Sequence, residues 1–512
     1  VLRTARNIFR LMRIAHILAR HDALFLLEHL GVAPAVTTAV RLVSRRRQPG
    51  RPGQRLARAL QEAGPSFIKF GQALSTRSDL LGEELTADLS ELRDRLPPFP
   101  GAEARAIIEK ELGQPVDALF RWFDDNAVAA ASIAQVHFAE DGAGHQVAVK
   151  VLRPGIEQSF ARDLDLFRWV AELVEVARPE WRRLRPVESV RTLAETIVFE
   201  MDLRFEAAAA AELAENFADD PSFLVPAVDW SRTGRRVLTT ERVCGIRIDD
   251  REAIIDCGLD PETVLANAAG SFFYQVFRDG FFHADLHAGN LFVRPDGGIA
   301  AVDFGIMGRI DRRTRQHLAE MLLAFLSRDY RRAAQVHFEA GWVPAHRSVD
   351  TFTQACRSIA EPIMDRPQNE ISMARLLGQL FQITETFEMQ AQPQLLLLQK
   401  TMLVAEGTGR RLCPEANMWM LARPLIEAWM AEAMAPELRL RESVGSVADT
   451  LARLPELARQ AERGLSLLSQ GRIRLDPESV RQALGRADSP AAATLPWIAA
   501  AAAAAGMLAL LS

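Results

Sequence analysis

Cysteine is scarce in this 512-residue chain. Cys244, Cys257, Cys356 and Cys413 stand far apart, with no CxxC pair. That excludes a disulfide-stapled small domain and a zinc ribbon, and it fits a reducing environment. No HExxH occurs, so a transition-metal centre is not expected. Arg3, Arg6, Arg10, Arg13 and Arg20 cut through the first apolar stretch, so no secretory leader is expected. Nothing resembles a zinc finger or an RNA-binding motif, and no internal repeat is evident. Lysine is nearly missing: Lys69, Lys110, Lys150 and Lys400 are the whole set. In so Arg-biased a chain, a lysine inside a motif marks a place that needs a compact ammonium rather than a planar fork.

Apolar residues make up 48% and charged residues 25%, as in folded proteins. The length allows one large domain with attachments or two to three smaller ones. Net charge is −5, but residues 1–55 hold eleven arginines against Asp22 and Glu28 and so carry +9, leaving −14 for the rest. The basic end fits an anionic surface. The acidic body makes nucleic acid the weaker partner, and none is expected.

Along residues 3–29 the arginines lie near one face of a helical wheel and Leu11, Ile14 and Leu18 on another. That pattern predicts either a helix lying on a lipid surface or one packed on its own domain. RRRQPGRPGQR at 45–55 is a linker. Helix is expected over 56–118, with breaks at Pro97-Pro98 and Pro100-Gly101. Strands are expected at 133–139, 146–152, 223–229, 236–243, 291–294 and 299–303. Helix is expected over 156–216 and 260–280, and mainly from 312 to 470. Residues 489–512 carry no charge and contain seven consecutive alanines, Ala499–Ala505. Their length predicts a membrane span. The competing expectation is a buried or oligomer-forming apolar helix.

The chemistry sits in dispersed residues. Asp285 lies in His283-Ala284-Asp285-Leu286-His287-Ala288-Gly289-Asn290. Asn290 follows it by five, and Asp303-Phe304-Gly305 follows Asn290 by thirteen. A hairpin between Asn290 and Asp303 would set an amide oxygen beside a carboxylate, the hard-oxygen pair that Mg²⁺ on nucleotide phosphates requires. Asp285 would then orient, or take a proton from, an attacking hydroxyl or water. His283 and His287 flank it as packing and hydrogen-bonding residues. Upstream, Lys150 closes the strand Val147-Ala148-Val149-Lys150 and can reach phosphates if a glutamate holds it. Glu206 is the best candidate, with Glu195 and Glu200 as rivals. The phosphate loop lacks glycine and reads Ala127-Val128-Ala129-Ala130-Ala131-Ser132. Alanines do not take positive φ readily, so a stiffer loop is expected. ATP binding with Mg²⁺ is therefore easier to defend than ordinary protein phosphorylation.

With these motifs the chain resembles the UbiB/ABC1/ADCK atypical protein-kinase-like family, over about residues 1–480. Lys69-Phe70-Gly71-Gln72 matches its KxGQ motif. Ala127–Ser132 with Ile133, Ala134, Gln135, Val136 and His137 matches its alanine-rich nucleotide loop. Lys150 matches the ATP-anchoring lysine, Glu200-Met201-Asp202 the ExD motif, and Glu206 the helix glutamate that pairs with Lys150. His283–Asn290 resembles the catalytic loop and Asp303–Gly305 the metal-binding DFG. Thr240–Gly245 resembles the hinge, where Glu241 and Val243 would offer backbone groups to an adenine. Gln394–Lys400 and Glu406–Arg410 match a C-lobe region. Ala288 stands where the family usually has proline, and Cys413 where it usually has aspartate.

The resemblance implies an α+β fold of two kinase-like lobes with a helical N-terminal extension, a mainly helical C-lobe and a C-terminal membrane helix. Its segments would be a basic amphipathic stretch at 1–55, a KxGQ extension at 56–118, an N-lobe at 119–245, a C-lobe at 246–480 and the tail at 489–512. Lys69 and Gln72 would sit on an extension that covers the active site, contacts the ExD residues and hinders protein substrates. The function implied is a membrane-associated kinase or ATPase using ATP and Mg²⁺ in ubiquinone biosynthesis. Its partners would be membrane lipids, polyprenyl quinone precursors, the biosynthetic enzymes and a second copy as homo-dimer. Its location would be the bacterial inner membrane, with the catalytic body on the cytoplasmic side. The competing functions are a small-molecule phosphotransferase and a non-catalytic lipid-binding scaffold.

Overall fold

The computed structural model describes residues 2–25, 49–74, 96–177, 186–362 and 393–414, with isolated positions at 85, 88, 89, 92, 383, 386–389, 424 and 427–429. The chain divides into two compact units, Val1–Met430 and Ala431–Ser512; the second lies outside the described residues.

The described part of the first unit begins with α1 (Leu2–Arg20), α2 (Pro52–Ala63) and α3 (Pro65–Leu74). Then come α4 (Gly101–Leu112) and the short α5 (Val116–Leu119). An antiparallel sheet follows, of β1 (Phe120–Phe123), β2 (Ala129–Ala130), β3 (Ala134–Asp141) and β4 (Gln146–Leu152). Three helices come next: α6 (Ile156–Ala177), α7 (Pro186–Glu200) and α8 (Leu203–Asn216). β5 (Phe223–Leu224), β6 (Val237–Glu241) and β7 (Ile246–Arg247) lead to α9 (Arg251–Asp256) and α10 (Pro261–Phe273). A single π-helical turn, Tyr274–Asp279, precedes four short strands: β8 (Phe281–His283), β9 (Leu291–Val293), β10 (Ile299–Ala301) and β11 (Met307–Arg309). The described chain then runs through α11 (Arg312–Leu326), α12 (Tyr330–Glu339), α13 (Val349–Ala360) and α14 (Pro393–Leu412).

The first sheet has the order β1-β3-β4-β6, with β2 also on β3. Alternation in β4 sets its use: Val147, Val149 and Val151 are buried, so Ala148 and Lys150 fall on the opposite face. A second sheet runs β5-β10-β9-β7, and β8 pairs with β11. Gly308 allows that last pairing, since a Cβ there would lie 2.2 Å from the Phe282 ring. The main apolar cluster joins α8, α10, the π turn and β8–β10 through Phe217, Phe272, Phe277, Phe282 and Ile299.

The stretch expected as one helix over 156–216 is broken. Met201-Asp202 turns the chain, and Asp202 caps α8 by accepting from the Arg204 N–H at 3.2 Å. Of the two expectations for the first helix, the structure gives the packed one. Leu11, Ala15 and Leu18 are buried against Leu56, Leu60, Phe67 and Phe167. Arg6 pairs with Asp165 at 3.0 Å and Arg20 with Glu62 at 2.8 Å.

The membrane expectation is corrected. Among the described residues no helix is long and apolar enough to cross a membrane. The long ones fail by charge: α1 carries five arginines, α6 carries Asp163, Asp165, Arg168, Glu172 and Glu175, and α14 carries Lys400, Glu406, Arg410 and Arg411. The C-terminal membrane helix is dropped from the fold class, and the placement at the bacterial inner membrane falls with it. Residues 489–512, on which both rested, lie outside the described residues.

Candidate functional site

Lys150, Glu206 and Asp303 come from β4, α8 and the turn after β10. The Lys150 Nζ donates to Glu206 Oε1 at 2.8 Å, to Glu206 Oε2 at 2.9 Å and to Asp303 Oδ1 at 2.8 Å. All three donors of the ammonium are thus used. Glu195 and Glu200, the rivals for Lys150, have other partners: Arg191 lies 3.9 Å from Glu195, and Lys69 lies 2.7 Å from Glu200.

The charges shape one another. Burial opposes the Lys150 cation, but Asp303 and Glu206 outweigh it and hold the ammonium well above its ordinary range. Burial pushes Glu206 up to about 7; Lys150 pulls against that rise and Asp303 adds to it. For Asp303 burial also works upward, yet Lys150 prevails and holds the carboxyl well below its ordinary range. The Asp303 side chain keeps 47% of its surface open to solvent. Its φ is +63°, a left-handed conformation that aspartate tolerates at modest cost.

The hairpin expected between Asn290 and Asp303 is present. β9 and β10 pair antiparallel with Leu291 opposite Ala301, and Val302 N–H donates to Asn290 O at 2.9 Å. Asn290 and Asp303 therefore leave one end of the hairpin side by side. Asn290 is buried, and its Nδ2 donates to Asp285 O at 3.1 Å, which fixes the amide. Asp285 N–H donates to His283 Nδ1 at 3.1 Å, and His283 Nε2 meets Val302 O at 3.2 Å. These partners demand a neutral ring protonated at Nε2, and burial holds His283 below its ordinary range. His287 Nε2 stands 3.7 Å from Asp285 Oδ2.

The alanine-rich segment forms an arm folded on β3, the strand beside β4 and its Lys150. Ala129 and Ala130 pair with Val136 and Gln135, and the turn closes with Ala131 N–H donating to Ala134 O at 2.8 Å. No residue of 127–135 takes a positive φ, so glycine is not needed. Arg153 braces the arm from Nε and Nη2 to Ala131 O at 2.9 and 2.8 Å. Sequence reasoning passed over Arg153, since a lone arginine after a strand carries no signal. Gln135, the next residue of the expected nucleotide set, turns its side chain inward. Its side chain is fully buried, bonded to both backbone groups of Phe99 and to His137. In the segment expected as a hinge, Glu241 N–H donates to Ala227 O at 2.8 Å, and Arg242 lies over the Phe138 ring at 3.8 Å. Val243 follows, partly exposed.

The KxGQ helix α3 borders the same region. Lys69 and Glu200 make a 2.7 Å pair in which each side chain is 11% exposed, and the Lys69 charge also helps lower Asp303. Of the ExD residues, Glu200 therefore meets the extension, whereas Asp202 is engaged by Arg204 at 2.7 Å. Gln72 sits one turn beyond Lys69, half-buried.

A strand lysine held by a helix glutamate, a braced arm and a carboxylate–amide pair at a hairpin end define an atypical kinase-like domain. Comparison with known proteins agrees. Residues 91–337 match the ABC1 atypical kinase-like domain, and 356–417 match the UbiB helical domain. A "Probable protein kinase UbiB" of Marinobacter nauticus is 45% identical over 409 residues, covering 79% of this chain and 75% of that one. One of Azotobacter vinelandii is 42% identical over 471 residues, covering 90% and 87%. A solved chain from Mycobacterium tuberculosis, in complex with erythromycin, is 26% identical over 72% of this chain and 93% of that one, with a TM-score of 0.48. The chain belongs to the UbiB family, the ATP-dependent kinase-like enzymes linked to ubiquinone biosynthesis.

Proposed function

We propose that this chain binds Mg·ATP around Lys150 and Asp303 and uses it as an ATPase or lipid-directed kinase. It would act on, or alongside, polyprenyl quinone precursors and the enzymes that process them. One observation carries the proposal: a single ammonium lies within 2.9 Å of carboxylates from two distant parts of the chain.

In that function Lys150 holds the α and β phosphates, and Glu206 keeps its ammonium in place. The arm from Ala127 to Ala134 lays small residues over the phosphates. Glu241 and Val243 offer backbone groups to the adenine. Asp285, steadied by His283, orients the attacking hydroxyl or water and accepts its proton. Asn290 and Asp303 suit Mg²⁺ by chemistry, an amide oxygen and a half-open carboxylate at neighbouring positions. Bound there, the ion would neutralise charge on the phosphate oxygens. Lys69 and Gln72 occupy space beside the phosphates, which favours water or a small or flexible lipid acceptor over a peptide.

The test is Mg-dependent ATP hydrolysis by the full chain with lipid vesicles and quinone-precursor analogues, alongside complementation of ubiquinone synthesis. Asp303→Asn is expected to abolish both. A variant that loses turnover but keeps full complementation makes the protein a scaffold and overturns the proposal.

A further inference from the structure

The catalytic loop is tied to the helical region far downstream by one buried hydroxyl. Thr401 lies in α14 and is fully buried. Its Oγ1 donates to Ala284 O at 3.1 Å, across 117 positions of sequence, and also lies 2.8 Å from Leu397 O in its own helix. The two carbonyls share one proton. Leu397 O has the helical N–H of Thr401 as its regular donor. Among the described residues, Ala284 O has the Thr401 hydroxyl as its donor.

That carbonyl belongs to the peptide unit joining Ala284 to Asp285. The other end of the same unit, Asp285 N–H, donates to His283 Nδ1. Ala284 N–H in turn donates to Ile306 O at 2.9 Å, in the segment after Asp303-Phe304-Gly305. The peptide plane before Asp285 is thus held at both ends, and that plane sets the direction in which the Asp285 side chain leaves. Ala284 falls within the kinase-like match and Thr401 within the helical match. The bond therefore joins the two regions at the residue next to Asp285.

We propose that Thr401 is a positioning residue for Asp285: its hydroxyl fixes the Ala284–Asp285 peptide plane and so couples α14 to turnover. The consequence for turnover rests on the role proposed above for Asp285; the peptide clamp itself does not. Removing a buried donor leaves Ala284 O unsatisfied, and a plane free to rotate misplaces the carboxylate.

The test compares Thr401→Val, of the same shape without the hydroxyl, with Thr401→Ser, which keeps it. Two readouts are taken on the full chain. In hydrogen exchange, the peptide covering 281–290 is expected to lose protection in Thr401→Val and to keep it in Thr401→Ser, with α14 itself unchanged. In ATP hydrolysis, Thr401→Val is expected to lower kcat about 10-fold with KM for Mg·ATP unchanged, and Thr401→Ser to restore it. Should Thr401→Val fail to fold, Thr401→Ser against Thr401→Ala supplies the same contrast. Unchanged exchange in the valine variant overturns the clamp, and so does a serine variant as impaired as valine, since the methyl would then be what matters. A wild-type chain without turnover defeats the proposed function, and exchange alone then decides the clamp.

Discussion

Replacing Lys150 by methionine removes the ammonium that bridges two carboxylates, Glu206 and Asp303. The cost depends on pH in a way the structure sets. In the wild type Glu206 titrates at about 7 against an ordinary 4.5, because burial raises it more than Lys150 lowers it. A carboxyl raised in the folded state binds its proton more tightly there than in the unfolded chain. Its contribution to stability is therefore largest at low pH, falls as pH climbs from about 4.5 to 7, and is level above. Without Lys150 the folded value moves higher still, and the fall continues through pH 8 at up to about 1.4 kcal/mol per pH unit. At pH 6 the variant chiefly loses the Lys150–Asp303 contact, worth about 1 kcal/mol because Asp303 is half exposed. At pH 8 the loss grows by about 1.4 kcal/mol, to about 2.4 kcal/mol, because Glu206 is ionised beside Lys150 only in the wild type. Urea unfolding of both proteins at the two pH values measures this. Lys150→Met with Glu206→Gln should remove the pH dependence. Equal losses at pH 6 and pH 8, or no loss at either, would refute the reasoning.

Three further outcomes are expected. Asp285→Asn lowers turnover by about 10²–10⁴-fold while Mg·ATP affinity stays within about 2-fold; equal loss of both in steady-state kinetics removes Asp285 from its role. For kcat/KM, which reports the free enzyme, activity rises with pH through about 7 as ionised Glu206 anchors Lys150. Glu206→Gln abolishes that limb, and a flat profile from pH 6 to 8 argues against it. Glu200→Gln takes the Glu200 carboxylate from the Lys69 ammonium, 11% exposed, and lowers stability by about 1–3 kcal/mol. Exchanging the two residues recovers part of the loss in thermal unfolding.

What the sequence made legible was local or carried by fixed spacing. Val147-Ala148-Val149-Lys150 read as a strand closed by Lys150, and the spacing of Asn290 and Asp303 marked the hairpin that sets them side by side. Strands of three residues, such as β8 and β11, are too short for periodicity to register. The break at Met201-Asp202 hid inside a helical pattern because its signal is a single capping aspartate. For α1 the wheel gave two faces but could not say what covers the apolar one; Leu60 and Phe67 come from other helices. Composition placed a membrane helix where no described helix serves as one, since a run of alanine favours helix without supplying much hydrophobicity. Loop membership says nothing of side-chain direction, so the bond from Gln135 to Phe99, 36 positions upstream, was not legible. Thr401 gave no signal at all, since its partner is 117 positions away.

The central claim is that Lys150, Glu206, Asn290 and Asp303 make one Mg·ATP site. Calorimetric titration of the protein with ATP, in excess magnesium and again in a chelator, tests it most directly. The account predicts binding that needs magnesium and that Asp303→Asn weakens at least about 10-fold. A wild type that takes up no ATP in magnesium, or an Asp303→Asn protein that binds it as tightly as wild type, would contradict it.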